Sequence, residues 1–197
     1  MLHPSLDYRQ PILPAWITLW LIFSSVICSL DVAFTINRPY TNEAPYLMTT
    51  SFYTPWNFYS QVDAHYRTTN DSLTAATGRV MLIEIMLNFV AIALGFARSR
   101  HAIPLAFLTT VMVFWKTVIF LAMFVFEPPT DEPAINSNIG VFDKFFIFWV
   151  PNCVWIIMPI IVIFSLWNKL AVPSRLIDRY RRAAGQCRGD LSFFNDQ

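Results

Sequence analysis

The chain has 197 residues, of which 55% are hydrophobic, 16% aromatic and only 14% charged. A typical soluble domain is about one quarter charged, so this composition argues against an ordinary soluble enzyme and excludes a disordered chain. The formal net charge of +1 gives no electrostatic basis for a nucleic-acid partner. We therefore expect a small polytopic membrane protein whose main partner is the lipid bilayer.

Four segments are long and apolar enough to cross about 30 Å of hydrocarbon, which takes about 20 helical residues. They are residues 12–34, 80–97, 103–126 and 145–166. Hydrocarbon forces each backbone group to pair within its own segment, which favours helices. The predicted fold class is therefore all-α: a four-transmembrane-helix bundle over residues 1–170, followed by a basic tail over residues 171–197.

The orientation is predicted from the Lys and Arg residues, which are in excess in cytoplasmic loops. The larger group lies on the side of the two chain ends: Arg9, Arg98, Arg100, Lys169, Arg175, Arg179, Arg181, Arg182 and Arg188. The smaller group lies on the other side: Arg38, Arg67, Arg79 and Lys144. Both termini are therefore predicted to be cytoplasmic. The segment 173–185 is interpreted as a juxtamembrane helix near anionic headgroups, or alternatively as a partner-binding tail.

The loop between the first two spans, residues 35–79, is too aromatic for a solvated linker. It contains Phe52, Tyr53, Trp56, Phe58 and Tyr59. Amphipathic rings favour the membrane interface, so an interfacial belt is one interpretation. A lid over a cavity that opens towards the lumen is the other. Asn70 begins a formal glycosylation sequon in the same loop.

Three ionisable residues lie inside the predicted spans, where such groups are costly and normally face the bundle interior. With the helical rise of 1.5 Å per residue, Asp31 lies roughly 5 Å from the lumenal end of the first span. Glu84 is predicted at a similar depth in the second span. Lys116 lies nearer the midplane of the third. The polar residues are therefore expected to converge in the lumenal half of the bundle.

Two asparagines and a tryptophan extend this polar set. Asn88 follows Glu84 by one helical turn and shares its face, and Trp155 lies on the same side of the fourth span as Asn152. Each residue also has a purely structural interpretation. Asp31 could be a solvated interface residue, Glu84 and Lys116 an ion pair, the asparagines interhelical hydrogen-bond partners, and Trp155 a lipid-facing or core ring.

Two carboxyl groups in a desolvated pocket could protonate an alkene and remove a proton elsewhere. Burial and mutual repulsion allow one carboxyl to hold a proton while the other stays ionised. The face of a tryptophan can stabilise an intervening carbocation. The same pocket could instead bind an amphiphilic amine through a carboxylate.

The order of these features resembles the EXPERA superfamily, which includes the emopamil-binding protein (the Δ8–Δ7 sterol isomerase) and the sigma-two receptor. The closest likeness is residues 145–159, FFIFWVPNCVWIIMP. Residues 59–66, YSQVDAHY, reproduce a Tyr-x3-Asp-x2-Tyr pattern of the family's lumenal loop. Residues 29–39, SLDVAFTINRP, resemble the Asp-containing end of the first helix in the sigma-two receptor.

The resemblance implies a pocket inside the bundle, a location in the endoplasmic reticulum membrane and, in many members, a homodimer. It places Asp31 and Glu84 as the pocket acids, and Asn152 and Trp155 as the polar and cation-stabilising residues of the fourth helix. The chain departs from the isomerase at three positions. Ile27 replaces a histidine, Asp31 is shorter than the usual glutamate, and Lys116 has no assigned counterpart.

The favoured function is a cofactor-free acid–base isomerase or cyclase that acts on a sterol, terpenoid or similar lipid-like olefin. The expected catalytic residues are Asp31, Glu84 and Asn152, and the expected substrate-binding residues are Trp155, Asn88, Lys116, Tyr59 and Trp115. No metal is expected, because the three cysteines lack metal-ligand spacing. The alternative is a non-catalytic sterol- or lipid-binding receptor or trafficking protein, which the missing histidine and the shorter acid favour. A transporter is poorly supported, since transporter repeats and broken helices are not evident.

Overall fold

The computed structural model describes residues 12–38, 40–41, 53–126 and 133–193, with side chains up to residue 171. Its elements are α1 (Ala15–Ile36), α2 (Thr54–Val62), α3 (Ala64–Arg67), α4 (Ser72–Phe96), α5 (Ala102–Val125), α6 (Val141–Asp143), a π-helical turn (Lys144–Trp149) and α7 (Val150–Phe193). Among the described residues, four helices are long and apolar enough to cross a membrane: Ala15–Ile36, Ser72–Phe96, Ala102–Val125 and Val141–Ala171. The predicted all-α bundle with four spans is confirmed.

The helix ends follow from local sequence. The side chain of Asp71 accepts a hydrogen bond from the backbone N–H of Thr74 at 2.7 Å and so caps α4. At the other end of α4, Arg98 adopts a positive φ of 58°. Ser99 N then donates to the Leu94 carbonyl at 2.9 Å, which closes the helix in the manner of a Schellman motif. This tight turn sets α4 and α5 side by side.

The second span begins eight residues earlier than the hydropathy pattern indicates, at Ser72 instead of residue 80. The additional turns carry threonines and Arg79, so they are helical without being strongly apolar. Glu84 therefore lies about 18 Å from the start of its helix, whereas Asp31 lies about 8 Å from the end of α1. The two ends do not lie at one level, because Asn88 of α4 contacts Ser25 of α1 and Gly78 lies against Thr35. In this antiparallel packing Glu84 lies within one helical turn of the level of Asp31, so the two acids have similar depths, as expected.

The four long helices pack in sequence, α1 on α4, α4 on α5 and α5 on α7. One end of the bundle is closed by a cluster of buried apolar side chains that includes Ile17, Trp20, Ala91, Ala106 and Leu166. Helices α2 and α3 lie at the opposite end, where Val62 packs with Phe120, Phe124 and Phe148. Large apolar side chains such as Leu19, Phe89 and Phe164 are exposed, as lipid contact requires.

The fourth span enters the bundle through α6 and the π-helical turn, and its backbone stays helical to Phe193. The tail predicted from residue 171 therefore continues the fourth helix as far as Phe193. The basic residues that determine the predicted orientation include Arg9 and Arg175, which lie outside the described side chains. The placement of both termini in the cytoplasm stays a prediction.

Candidate functional site

A cavity of about 810 Å³ lies between the helices, bounded by the buried cluster at one end and by α2 and α3 at the other. Its volume is typical of sites that enclose a drug-sized or lipid-sized ligand. Seven elements contribute to its wall, and the wall is largely apolar. Five of the site residues predicted from the sequence line it: Asp31, Tyr59, Lys116, Asn152 and Trp155.

Asp31 is held in the cavity wall by one side chain of α2 and one of α3. The indole Nε1 of Trp56 donates to Oδ1 at 2.8 Å, and the hydroxyl of Tyr66 donates to Oδ2 at 2.8 Å. Fixed donors of this kind stabilise the negative charge that remains on a carboxylate after it has given up a proton. Asp31 is therefore an oriented acid in the wall of the cavity.

Helices α2 and α3 cover this end of the cavity, which supports the interpretation of residues 35–79 as a lid. We call α2 and α3 together the lid. The guanidinium of Arg38 fixes it by donating to the carbonyls of His65 at 2.9 Å and Thr68 at 2.5 Å. The same side chain donates to the hydroxyl of Thr74 on α4 at 2.8 Å, so one arginine connects α1, the lid and α4.

Ionisable groups in and around the lid have shifted pKa values. Asp63 is fully buried at the junction of α2 and α3, and burial raises its pKa to about 7. Burial alone would raise the pKa of Asp71, but hydrogen bonds from His65 and Thr74 outweigh this effect and hold the pKa below its usual range. Burial raises the pKa of Tyr59 well above its ordinary value, so its hydroxyl keeps its proton.

Asn152 is positioned by two hydrogen bonds. Its amide nitrogen donates to the Phe148 carbonyl at 2.7 Å and to the hydroxyl of Tyr59 at 3.1 Å. Phe148 lies in the π-helical turn, and such turns are frequent at functional sites. The nitrogen of Asn152 is thus engaged with the protein, and its carbonyl oxygen is the atom left to accept from a ligand.

Lys116 and Glu84 form an ion pair, with 2.5 Å between Nζ and Oε2. The Glu84 side chain is only 1% exposed, and it is absent from the cavity wall, whereas Lys116 is 16% exposed and lines the cavity. Glu84 therefore reaches the cavity only through Lys116. The two acids predicted to share one pocket are held in different surroundings, one in the wall and one behind it.

Asn88 also lies behind the wall of the cavity. Its amide nitrogen donates to the hydroxyl of Ser25 at 3.3 Å, which joins α4 to α1. This is the structural role considered for it above. Within the described chain, Glu84 Oε1 and Asn88 Oδ1 are buried oxygens without a hydrogen-bond partner.

The two tryptophans predicted to bind substrate occupy different positions. Trp155 lines the cavity and packs against Trp20, with 5.3 Å between ring centroids. Trp115 is 56% exposed and is not part of the wall, because one residue along a helix turns the side chain by about 100° from Lys116. The structure does not bring Trp115 to the site.

Trp56 and Tyr66 contact Asp31 but were not predicted as site residues. The signal available for Tyr66 was the YSQVDAHY pattern, and for Trp56 the aromatic composition of the loop. Neither indicates which rings turn inward. Among the described residues, no group of three or more His, Cys, Asp or Glu side chains is placed to hold a metal ion.

Comparison with models of protein families, with curated proteins and with solved structures gives no significant match to this chain.

Proposed function

We propose that the chain is a cofactor-free acid–base isomerase or cyclase that acts on a sterol, terpenoid or similar lipid-like olefin in the cavity. The observation that carries the proposal is the position of Asp31, an acid fixed by two donors in the wall of a large apolar space. The resemblance to the EXPERA superfamily, read from the sequence, points in the same direction.

In the proposed reaction Asp31 gives its proton to one alkene carbon. The O–H bond breaks, a C–H bond forms, and the neighbouring carbon becomes a cation. Trp56 and Tyr66 stabilise the carboxylate that remains. Trp155 and Tyr59 line the cavity, and an aromatic ring can stabilise a nearby cation.

In an isomerase the cation loses a proton from an adjacent carbon. In a cyclase a second alkene of the same molecule first attacks the cation, and the new cation then loses a proton. The restored Asp31 carboxylate is placed to receive that proton. Asn152 contacts the substrate and orients it, while Glu84 acts through Lys116 as a positioning residue.

The sharpest test is the turnover of lipid in deuterated water. The purified protein should introduce solvent deuterium at carbon into a lipid that co-purifies with it, as detected by mass spectrometry. Asp31→Asn should slow this exchange at least 100-fold, the lower end of what general acid–base groups contribute. Asp143→Asn, which makes the same change at an exposed position, should not. Exchange at an unchanged rate in Asp31→Asn would refute the proposal.

A non-catalytic lipid receptor is the second candidate. The observation that favours it is the pairing of Glu84 with Lys116, which leaves one carboxyl instead of two in the cavity wall. A receptor would retain the co-purified lipid chemically unchanged in deuterated water, and ligand affinity would depend on Asp31 without any turnover.

A further inference from the structure

The Lys116 ammonium has more hydrogen-bond donors than the protein uses. An ammonium carries three N–H donors, and Glu84 Oε2 is the one acceptor that the described structure provides for them. The hydroxyl of Thr117, one residue away in the cavity wall, donates to the Val113 carbonyl at 3.0 Å. A donor that faces an apolar cavity without an acceptor is costly, so a ligand oxygen at this point would be stabilised.

Glu84 fixes the direction of the Lys116 side chain through the hydrogen bond from Nζ to Oε2. Because Glu84 is buried behind the wall, it cannot itself meet a ligand, and the group that the pair presents to the cavity is the ammonium. Asp31 is the acid in the wall, and both of its oxygens already accept hydrogen bonds from the lid. A ligand in the cavity therefore meets the Lys116 ammonium as a hydrogen-bond donor that still lacks acceptors.

A positively charged ligand fits this cavity poorly. Its ammonium has donors and no acceptor, so it cannot accept a hydrogen bond from Lys116, and it would bring a second positive charge beside that side chain. A neutral oxygen such as a carbonyl, hydroxyl or epoxide oxygen can instead accept a hydrogen bond from Lys116. Hydrogen bonds to charged groups correspond to about 10- to 100-fold in affinity.

We propose that the cavity selects an oxygenated neutral lipid, whose oxygen accepts a hydrogen bond from Lys116, over a cationic amphiphile of the same size. Lys116 is thereby the specificity-determining residue of the site. The assignment rests on the proposed function, because it takes the same cavity as the substrate site. It concerns binding alone and does not depend on turnover.

The test is competitive binding of matched probes to the protein in nanodiscs. A ketone, a hydrocarbon and a protonated amine are prepared on one steroid skeleton and again on one linear isoprenoid skeleton. On the skeleton that the cavity accepts, we expect the ketone to bind about 10- to 100-fold more tightly than the hydrocarbon. The amine should bind no more tightly than the hydrocarbon.

The variant that isolates Lys116 is Lys116→Met combined with Glu84→Gln, which removes both charges and leaves no buried unpaired ion. It should lose the preference for the ketone and gain affinity for the amine, which then meets Asp31 alone. Lys116→Arg keeps the charge and the donors, so it should retain the preference. Lys144→Met makes the same change at a lysine outside the cavity wall and should leave all affinities unchanged.

Three results would overturn the assignment: tighter binding of the amine than of the ketone to the natural chain, a ketone preference that survives in the double variant, or no binding of any probe. The assignment and the proposed function fail separately. A ketone preference without any deuterium exchange would support the role of Lys116 and refute the proposed enzyme activity. Deuterium exchange without a ketone preference would support the enzyme activity and refute the role of Lys116.

Discussion

Lys116→Met should destabilise the bundle because it leaves Glu84 as an unpaired acid that is only 1% exposed. At the 2.5 Å separation of the pair, Coulomb's law with an effective dielectric constant of about 20 gives on the order of 7 kcal/mol. Desolvation of the two ions offsets much of this. Breaking a buried pair from one side costs about 3–5 kcal/mol. We expect about 3 kcal/mol, since Glu84 can limit the cost by binding a proton.

Two more variants, Glu84→Gln and the combination of Glu84→Gln with Lys116→Met, complete a thermodynamic cycle. Glu84→Gln should cost less than Lys116→Met, because Lys116 can turn its ammonium into the cavity and a glutamine oxygen can still accept from it. The double variant should be more stable than the sum of the two single changes predicts, by about 2 kcal/mol or more.

The assay is reversible unfolding of the four proteins by a denaturing detergent in mixed micelles, followed by tryptophan fluorescence. Lys144→Met serves as the control for loss of a lysine outside the cavity wall. If the effects of Lys116→Met and Glu84→Gln add to within about 0.5 kcal/mol, the two side chains are not coupled. The ion pair, and the inference built on it, would then be wrong.

Three further predictions concern the lid and the aromatic wall. The pKa of Asp63 is about 7 in the folded chain against about 3.9 unfolded, so the folded state binds this proton more tightly. Stability should therefore be greatest below about pH 4 and fall as the pH rises through 7, by about 4 kcal/mol at most, and melting curves of Asp63→Asn should lack this fall. Arg38→Gln should loosen the lid and speed amide hydrogen exchange in α2 and α3 at least 10-fold, whereas unchanged exchange would mean that the arginine does not hold it. Trp155→Leu should lower turnover about 10-fold by removing an aromatic face from the cavity, while Trp115→Leu, on the exposed side of α5, should leave it within about 2-fold. Equal effects of the two tryptophan variants would contradict the assigned cavity wall.

The sequence predicted the number and type of the spans well because hydropathy reports directly on lipid contact. It misplaced the start of α4 for the same reason. The turns from Ser72 to Arg79 are helical through the Asp71 cap and their packing, and hydropathy does not detect either. The error left the similar depth of the two acids intact, because the contacts of Asn88 with Ser25 and of Gly78 with Thr35 bring Glu84 close to the level of Asp31.

The candidate site was predicted in part. Ionisable residues in a span had to face inward, and this placed Asp31 and Lys116 correctly at the cavity. Trp115 was predicted wrongly because its direction on the helix was not considered. It is next to Lys116 in α5, so when Lys116 faces the cavity Trp115 points outward. The inward rings of the lid could not be predicted, because their direction depends on contacts between residues far apart in the chain, such as Tyr66 with Asp31.

The central claim, that Asp31 is an oriented acid in the wall of an apolar cavity covered by the lid, can be tested most directly by chemical labelling of carboxyl groups. An apolar carbodiimide should modify Asp31 in the native protein, as located by peptide mass spectrometry, and a tightly bound ketone probe should prevent the modification. A water-soluble carbodiimide should modify the exposed Asp143 but not Asp31. Equal modification of both residues by the water-soluble reagent, with no protection by the probe, would contradict the account.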